Sequence, residues 1–318
     1  MCTAVHFNNF FGRNLDLDFS YGEQVIITPR NFSLDFRTLE NLPAHLAIIG
    51  IGTISNEYPL YYDAMNEAGL AMAGLNFPGN AHYFPACHGA DNIAPFEFIP
   101  YILGKCRSVC DAKKLLSRIN IADICFSQEF SNSPLHWMIS DKHSSIVAEQ
   151  TKEGLKIHDN PVGILTNNPT FDYHLTNLTN YINVTAQEPQ NRFSHRIHLS
   201  PYSRGMGGIG IPGDLSSASR FVRASFTLLN SSECNISQFF HILGSVAQQK
   251  GSAHVGDGYE YTLYSSCCDM EHLMYYYSTY ENPAISAVHL NSENLDSEEL
   301  IAYPIENELY INHINKKN

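Results

Sequence analysis

The hydrophobic pattern of this chain switches between two periods, and the switches fall in blocks. Short runs rich in β-branched and aromatic residues come first: "CTAVHF", "FFGRNLDLDF", "QVIITPR", "LAIIGIG" and "LAMAGLNF", separated by Asn, Pro and Gly. They predict strands of a mostly antiparallel sheet. From Pro95, "PFEFIPYILGKCRSVCDAKKLLSRI" carries apolar residues at helical spacing, with a break near Ser108 to Asp111. Strands return at "LHWMISD", "SIVAEQT" and "LKIHD", the first two joined by a short "KHS" turn as a hairpin. Helical spacing resumes in "TFDYHLTNLTNYI", "SSASRFVRASFTLLN" and "NISQFFHILGSVAQQ", with Ser216 or Ser217 and Asn235 as N-caps. "YEYTLYSSCC", "LMYYYSTY" and "ISAVHL" close the chain as strands. Blocks of like elements predict an α+β fold with antiparallel sheets between helical layers, not a doubly wound parallel sheet.

No linker-like stretch divides the chain, so residues 1–318 read as one domain. One segment escapes both periods. Residues 184–214, "VTAQEPQNRFSHRIHLSPYSRGMGGIGIPGD", are far longer than ordinary connections, which points to a functional loop, a disordered one or an arm that packs on another subunit. Its Gly205–Gly210 run is formally GxGxxG, but no apolar strand feeds it and "IPGD" intervenes before the next helix, so a dinucleotide site is not expected. His195 and His198 lack a third ligand nearby and read as solvated.

Composition narrows the partners. The formal charge of −13, from 32 acidic against 19 basic residues, repels phosphate backbones and anionic membrane surfaces. Neither nucleic acid nor membrane is expected as a partner. The start shows no secretory signal pattern, and the chain reads as cytoplasmic, where five Asn-x-Ser/Thr sequons would be inert. The eight cysteines lack zinc-ribbon spacing. All but Cys2 read as reduced, buried small hydrophobes, with Cys106 and Cys110 able to share a helix face.

Cys2 stands apart by position. If Met1 is removed, one residue carries a thiol and a free α-amine, whose reference pKa of about 7.7 lies near the thiol's 8.5, so the amine can act as general base for the nucleophile beside it. A two-residue turn at Asn8-Asn9 would pair Phe7 with Phe10, Ala4 with Arg13 and Cys2 with Leu15. Cys2, Ala4, Arg13 and Leu15 then share one face. Arg13 lies diagonally beside Cys2, where a fixed cation favours thiolate, and Leu15 forms an apolar wall. Asp16 has the other parity and reaches the site only if the strand bends or ends there; its carboxylate suits it to hold the α-ammonium. A hairpin-end ion pair is the plain alternative for Arg13 and Asp16.

"MCT", "FGRNLD", "MNEAGLAMAGLNFPGN", "GILTNNPTF" and "PGDLSSASRF", with "SPLHWMISD", "SIVAEQTKEGL" and "YSSCCDME", resemble the choloylglycine hydrolase family of N-terminal-nucleophile hydrolases from end to end. That family comprises bile salt hydrolases and penicillin V acylases. The resemblance implies a four-layer αββα sandwich. It implies Cys2 as nucleophile, Arg13 as the thiolate-stabilising arginine and Asp16 as the amine-binding aspartate. Asn167 then donates to the oxyanion through its side chain, Asn76 through its backbone, and Arg220 is the second active-site arginine. On composition alone Asn76 and Asn167 are turn residues, and Arg220 is the polar edge of a helix. Asn at 76 resembles the bile salt branch, where penicillin V acylases often carry Tyr. Conjugated bile salts, cleaved to bile acid plus glycine or taurine, are therefore the expected substrates. Leu15, Tyr62, Phe126 and Phe130 are the expected pocket residues, and no metal or organic cofactor is expected. The family is commonly tetrameric, which makes 184–214 the candidate assembly arm. Penicillin V acylase or a broader N-acyl amidase is the nearest alternative, and a non-catalytic bile acid-binding or redox-sensing protein a remote one.

Overall fold

The computed structural model describes residues 1–128 and 131–315. Among the described residues seventeen strands and five α-helices follow one another. The first block is β1 (Cys2–Phe7), β2 (Phe10–Leu17), β3 (Gln24–Thr28), β4 (Ile48–Ser55), β5 (Tyr58–Asn66), β6 (Ala71–Asn76) and the short β7 (Asp91–Ile93). Helices α1 (Phe98–Lys105) and α2 (Val109–Leu116) follow. Next come β8 (Ile119–Ile121), β9 (Leu135–Ser140), β10 (Ser145–Thr151), β11 (Gly154–Asp159) and β12 (Ile164–Leu165). Then α3 (Phe171–Asn177), α4 (Ser217–Leu229) and α5 (Ile236–Gly244) precede β13 (Ala253–Val255), β14 (Gly258–Asp269), β15 (Met274–Thr279), β16 (Ser286–His289) and β17 (Ile301–Pro304).

Two large antiparallel sheets result. One runs β12-β1-β2-β14-β15-β16, with β13 paired to β14; the other runs β11-β10-β9-β6-β5-β4-β3-β17. The predicted first hairpin forms with the predicted register, Cys2 opposite Leu15 and Ala4 opposite Arg13. Asn8 takes φ 55°, the positive value for which Asn is tolerant. The two sheets stack face to face over Val25, Ile27, Ile49, Met65, Leu75, Met138 and Leu15, which share one apolar core. Phe221, Leu228, Phe239 and Ile242 of α4 and α5 extend that core over the outer face of the first sheet. Phe98, Ile102, Val109 and Leu116 of α1 and α2 cover the second sheet over Ile26, Ile48, Met72 and Trp137. The order helix, sheet, sheet, helix is the expected four-layer αββα sandwich.

Local signals decide the helix ends. Asn235 accepts from Gln238 N and Ser108 from Asp111 N, each satisfying an otherwise orphaned amide. Ser216 is the N-cap of α4, although its hydroxyl donates to Ser219 instead of accepting from the backbone. The break between α1 and α2 falls at 106–108, earlier than Ser108 to Asp111, because Asp111 already belongs to the first turn of α2. That shift corrects the cysteine reading: Cys106 ends α1 and is buried, whereas Cys110 lies on α2 and is exposed, so they share no face. Cys87, Cys125 and Cys234 are exposed as well, since they sit outside the sheets and helices that bury Cys267 and Cys268. Among the described residues no helix is long and apolar enough to cross a membrane.

Gly12 shows how closely β2 and β14 approach. A Cβ there would lie 1.9 Å from Ser266 O, a backbone atom held by strand pairing, whereas a Cβ at Gly213 meets nothing within 4 Å. Gly12→Ala is expected to cost more than about 3 kcal/mol of unfolding free energy by urea titration, and Gly213→Ala to stay within about 0.5 kcal/mol of the parent.

Candidate active site

The hairpin sorts its residues between two environments. Arg13 points between the sheets, where its Nη1 donates to Gly74 O at 2.6 Å and Tyr62 O at 3.1 Å on the facing sheet. The alternation puts Cys2, Ala4 and Leu15 on that same face. Asn14 points the other way and donates to Leu243 O of α5; Thr3 and Asp16 share its parity. The thiol side chain therefore belongs to the inter-sheet space, and the Asp16 carboxylate to the helix side.

A guanidinium in that space needs negative charge. Arg13 is 1 % exposed. Burial disfavours its cation, but the charges of Cys2, Tyr264, Asp63 and Asp16 outweigh that cost and raise its pKa. Asp63, in β5, is also fully buried and accepts from Tyr264 at 2.6 Å, Tyr275 at 2.6 Å and Ser266 at 2.8 Å across the sheets. Burial raises its pKa against the pull of Arg13 and these donors. At the other buried cysteines desolvation dominates: it pushes Cys106 up to about 12 against the weaker pull of Lys105 and Arg118, and raises Cys267 and Cys268 well above the usual range, so they remain thiols.

Asn167, just after β12, ties the remaining elements together. Its Oδ1 accepts from Cys2 N and from Arg220 Nη2, both at 2.8 Å, and its Nδ2 donates to Asn76 O at 2.7 Å. Asn76 ends β6, so this one side chain bridges both sheets and α4. Arg220 is fully buried rather than the polar edge of its helix. It donates to Cys2 O and Thr3 Oγ1, both at 2.6 Å, and lies 3.9 Å from Asp16. Burial lowers its pKa, and the charges of Asp16, Cys2 and Glu260 oppose that. Behind Asn167, Ser217 accepts its backbone N–H at 2.8 Å, and His174 Nε2 lies 2.8 Å from its carbonyl.

Asp16 is where β14 adds an extra residue: Thr262 pairs with Asp16 and Tyr264 with Leu15, leaving Leu263 as a bulge. The Asp16 carboxylate accepts from Thr262 Oγ1 at 2.6 Å and Gln248 Nε2 at 2.9 Å. With Met1 in place, the terminal ammonium bonds the Asp16 carbonyl at 2.7 Å and Glu260 Oε2 at 2.5 Å.

Six of the expected residues, Cys2, Arg13, Asp16, Asn76, Asn167 and Arg220, thus form one contiguous group. Leu15 lies within it, and Tyr62 touches it through its carbonyl, its side chain half-buried at a β5 bulge opposite Ile51 and Gly52. Phe126 instead packs edge-on to Phe96 at 5.1 Å, near Tyr58 and the Arg37 guanidinium. Phe130 lies outside the described residues. His195 and His198 are exposed, and Met206–Gly208 forms a 3₁₀ turn with no strand feeding it. Among the described residues no three His, Cys, Asp or Glu side chains are grouped to hold a metal. Sequence reasoning passed over Asp63, Glu260, Gln248, Ser217 and His174. Only Asp63 carried a signal, a carboxylate inside the apolar strand "PLYYDAM".

His174 is fully buried, which pushes its pKa down to about 4, so it is neutral near pH 7 and its Nε2–H donates to the Asn167 carbonyl. Below pH 6.5 the unfolded chain binds a proton that the folded chain refuses, so stability falls as pH drops toward 4. Between pH 7 and 4.5, the parent is expected to lose about 2 kcal/mol more unfolding free energy than His174→Gln. Urea titrations of both proteins at the two pH values check this; equal losses would refute it.

This geometry has relatives. The sequence profile of linear amide C–N hydrolases, choloylglycine hydrolase family, matches residues 2–303. The chain is 57 % identical over 317 residues to the bile salt hydrolase/transferase of Lactiplantibacillus plantarum, covering 97 % of this chain and 98 % of the relative. The fold superimposes on a mutant of the conjugated bile acid hydrolase of Clostridium perfringens with a TM-score of 0.94 at 39 % identity, covering 99 % of this chain and 100 % of that one. Penicillin V acylase of Agrobacterium tumefaciens shares the fold, with a TM-score of 0.75 at 19 % identity over 95 % of this chain and 90 % of that one. The chain belongs to the choloylglycine hydrolase family of linear amide C–N hydrolases.

Proposed function

We propose that this protein is a bile salt hydrolase, which cleaves the amide of glycine- or taurine-conjugated bile salts through Cys2 exposed by loss of Met1. The observation that carries the reading is Asn167, whose single side chain meets Cys2 N, Arg220 and the end of β6 at Asn76. In this mechanism the Cys2 thiolate, held beside Arg13, attacks the amide carbonyl. The carbonyl electrons move to oxygen, which accepts from the second Asn167 Nδ2–H and the Asn76 backbone N–H. As the intermediate collapses, the C–N bond breaks and the α-ammonium gives its proton to the departing amine. A thioester to Cys2 remains. The α-amine, now neutral, takes a proton from water, whose oxygen attacks the thioester; the carboxylic acid leaves and the thiolate returns. Arg220 fixes Cys2 O and Asn167 Oδ1, and Asp16, which also lies 3.9 Å from Arg220, holds the α-ammonium once Met1 is lost.

The substrate reading rests on Asn76 and on an apolar wall suited to a steroid body, to which Leu15 and Tyr62 belong. Two relatives support it, the bile salt hydrolase/transferases of Lactiplantibacillus plantarum and, at 40 % identity, Clostridium perfringens. No cofactor enters the scheme. We further read residues 1–318 as one domain of a cytoplasmic homotetramer. The 184–214 segment supports an assembly role by exposing Phe193, Ile197, Leu199, Tyr202 and Ile209 on a loop.

Glycocholate and taurocholate are expected to release amine much faster than penicillin V releases 6-aminopenicillanate, in one preparation whose intact mass lacks one methionine. Faster penicillin V cleavage would overturn the substrate reading and keep the mechanism. Cys2→Ala should abolish turnover, and Asn167→Ala should lower kcat by about 10²-fold or more; a Cys2→Ala chain active on amides would refute the nucleophile. Joint Phe193→Ser and Tyr202→Ser substitution should shrink the particle seen by light scattering.

A further inference from the structure

Beside the Asp16 carbonyl, the chain terminus is bound by a carboxylate the sequence did not single out. Glu260, at the start of β14, holds the Met1 ammonium at 2.5 Å through Oε2, and its Oε1 is buried with no hydrogen-bond partner among the described residues. Removing Met1 shifts the terminal nitrogen by the N-to-N span of one residue, at most about 3.7 Å. The carboxylate then stands within about 6 Å of the Cys2 α-amine, a range in which one charge governs the protonation of another. The side-chain carboxylates on the other elements are already engaged. Asp16 is bonded by Thr262 and Gln248 and lies against Arg220, and Asp63 accepts from three hydroxyls while facing Arg13. Arg220 on α4 donates to Cys2 O, and Arg13 on β2 shares the face of the Cys2 side chain. Both guanidiniums oppose a second cation, and Arg220 itself feels the field of Glu260.

We propose that Glu260 is a positioning residue for the reaction: its carboxylate offsets the two buried arginines and keeps the Cys2 α-amine basic enough to accept a proton and hand it to the departing amine. This rests on the reading of Cys2 as a processed N-terminal nucleophile and adds the group that tunes its base. Glu260 touches neither substrate nor the scissile bond in this role and acts through the amine alone.

The consequence is a pH shift. In the scheme above the free enzyme carries a thiolate beside an α-ammonium that must still hold its proton, so the alkaline limb of kcat/KM follows loss of that proton. Removing a nearby negative charge makes the ammonium lose that proton at lower pH. In Glu260→Gln, a near-isosteric change, the alkaline limb for glycocholate is therefore expected to move down by about one pH unit. Glu260→Asp, which keeps the charge, should show a smaller displacement. If the Gln variant is insoluble, Glu260→Ser removes the charge with room for water and is read the same way. Intact mass of each protein reports whether Met1 has been removed. A processed, active Glu260→Gln or Glu260→Ser chain with an unmoved limb would overturn this inference alone. An active parent that retains Met1 would overturn the amine-base reading and this inference with it.

Discussion

A guanidinium buried between two β-sheets is the constraint around which this molecule is arranged. Arg13 has lost water, and its hydrogen bonds to Gly74 O and Tyr62 O satisfy donors without neutralising charge. The interior supplies that charge from Asp63, from Asp16 and from Cys2 itself. The favourable partner for a sulfur held there is the cation beside it. Cys106, Cys267 and Cys268 are also buried, and there desolvation outweighs any nearby charge and keeps them as unreactive thiols.

The second buried arginine works on the other face of the same hairpin. Arg220 reaches from α4 to Cys2 O, Thr3 and Asn167, and Asp16 lies on its side of the sheet because strand parity puts it there. The hairpin is thus gripped from both faces by fixed cations. Backbone and side chains at its first residues are ordered by groups drawn from both sheets and a helix layer. Such ordering before any substrate arrives is what preorganised catalysis requires. It also explains the depth of support behind Asn167: Ser217 and a neutral His174 hold its backbone so that its amide can serve Cys2, Arg220 and Asn76 together.

The sequence by itself determined the alternation of strand and helix blocks, and with it the layers, because period and turn chemistry are local. It also determined the first hairpin: the Asn8-Asn9 turn fixes the register, and register fixes that Cys2 shares a face with Arg13 and Leu15 while Asp16 does not. Family motifs added Asn76, Asn167 and Arg220, which no local rule distinguishes from turn residues and a helix edge. Tertiary structure decided the rest. Glu260 and Gln248 are remote in sequence from the terminus they surround, and only the β14 bulge and the end of α5 bring them there. Exposure of Cys87, Cys110, Cys125 and Cys234 was equally illegible, since burial depends on which layer lies over a residue. Pairing and periodicity are short-range and written in neighbouring residues; the charge balance of a buried site is a sum over groups that meet only when the sheets close.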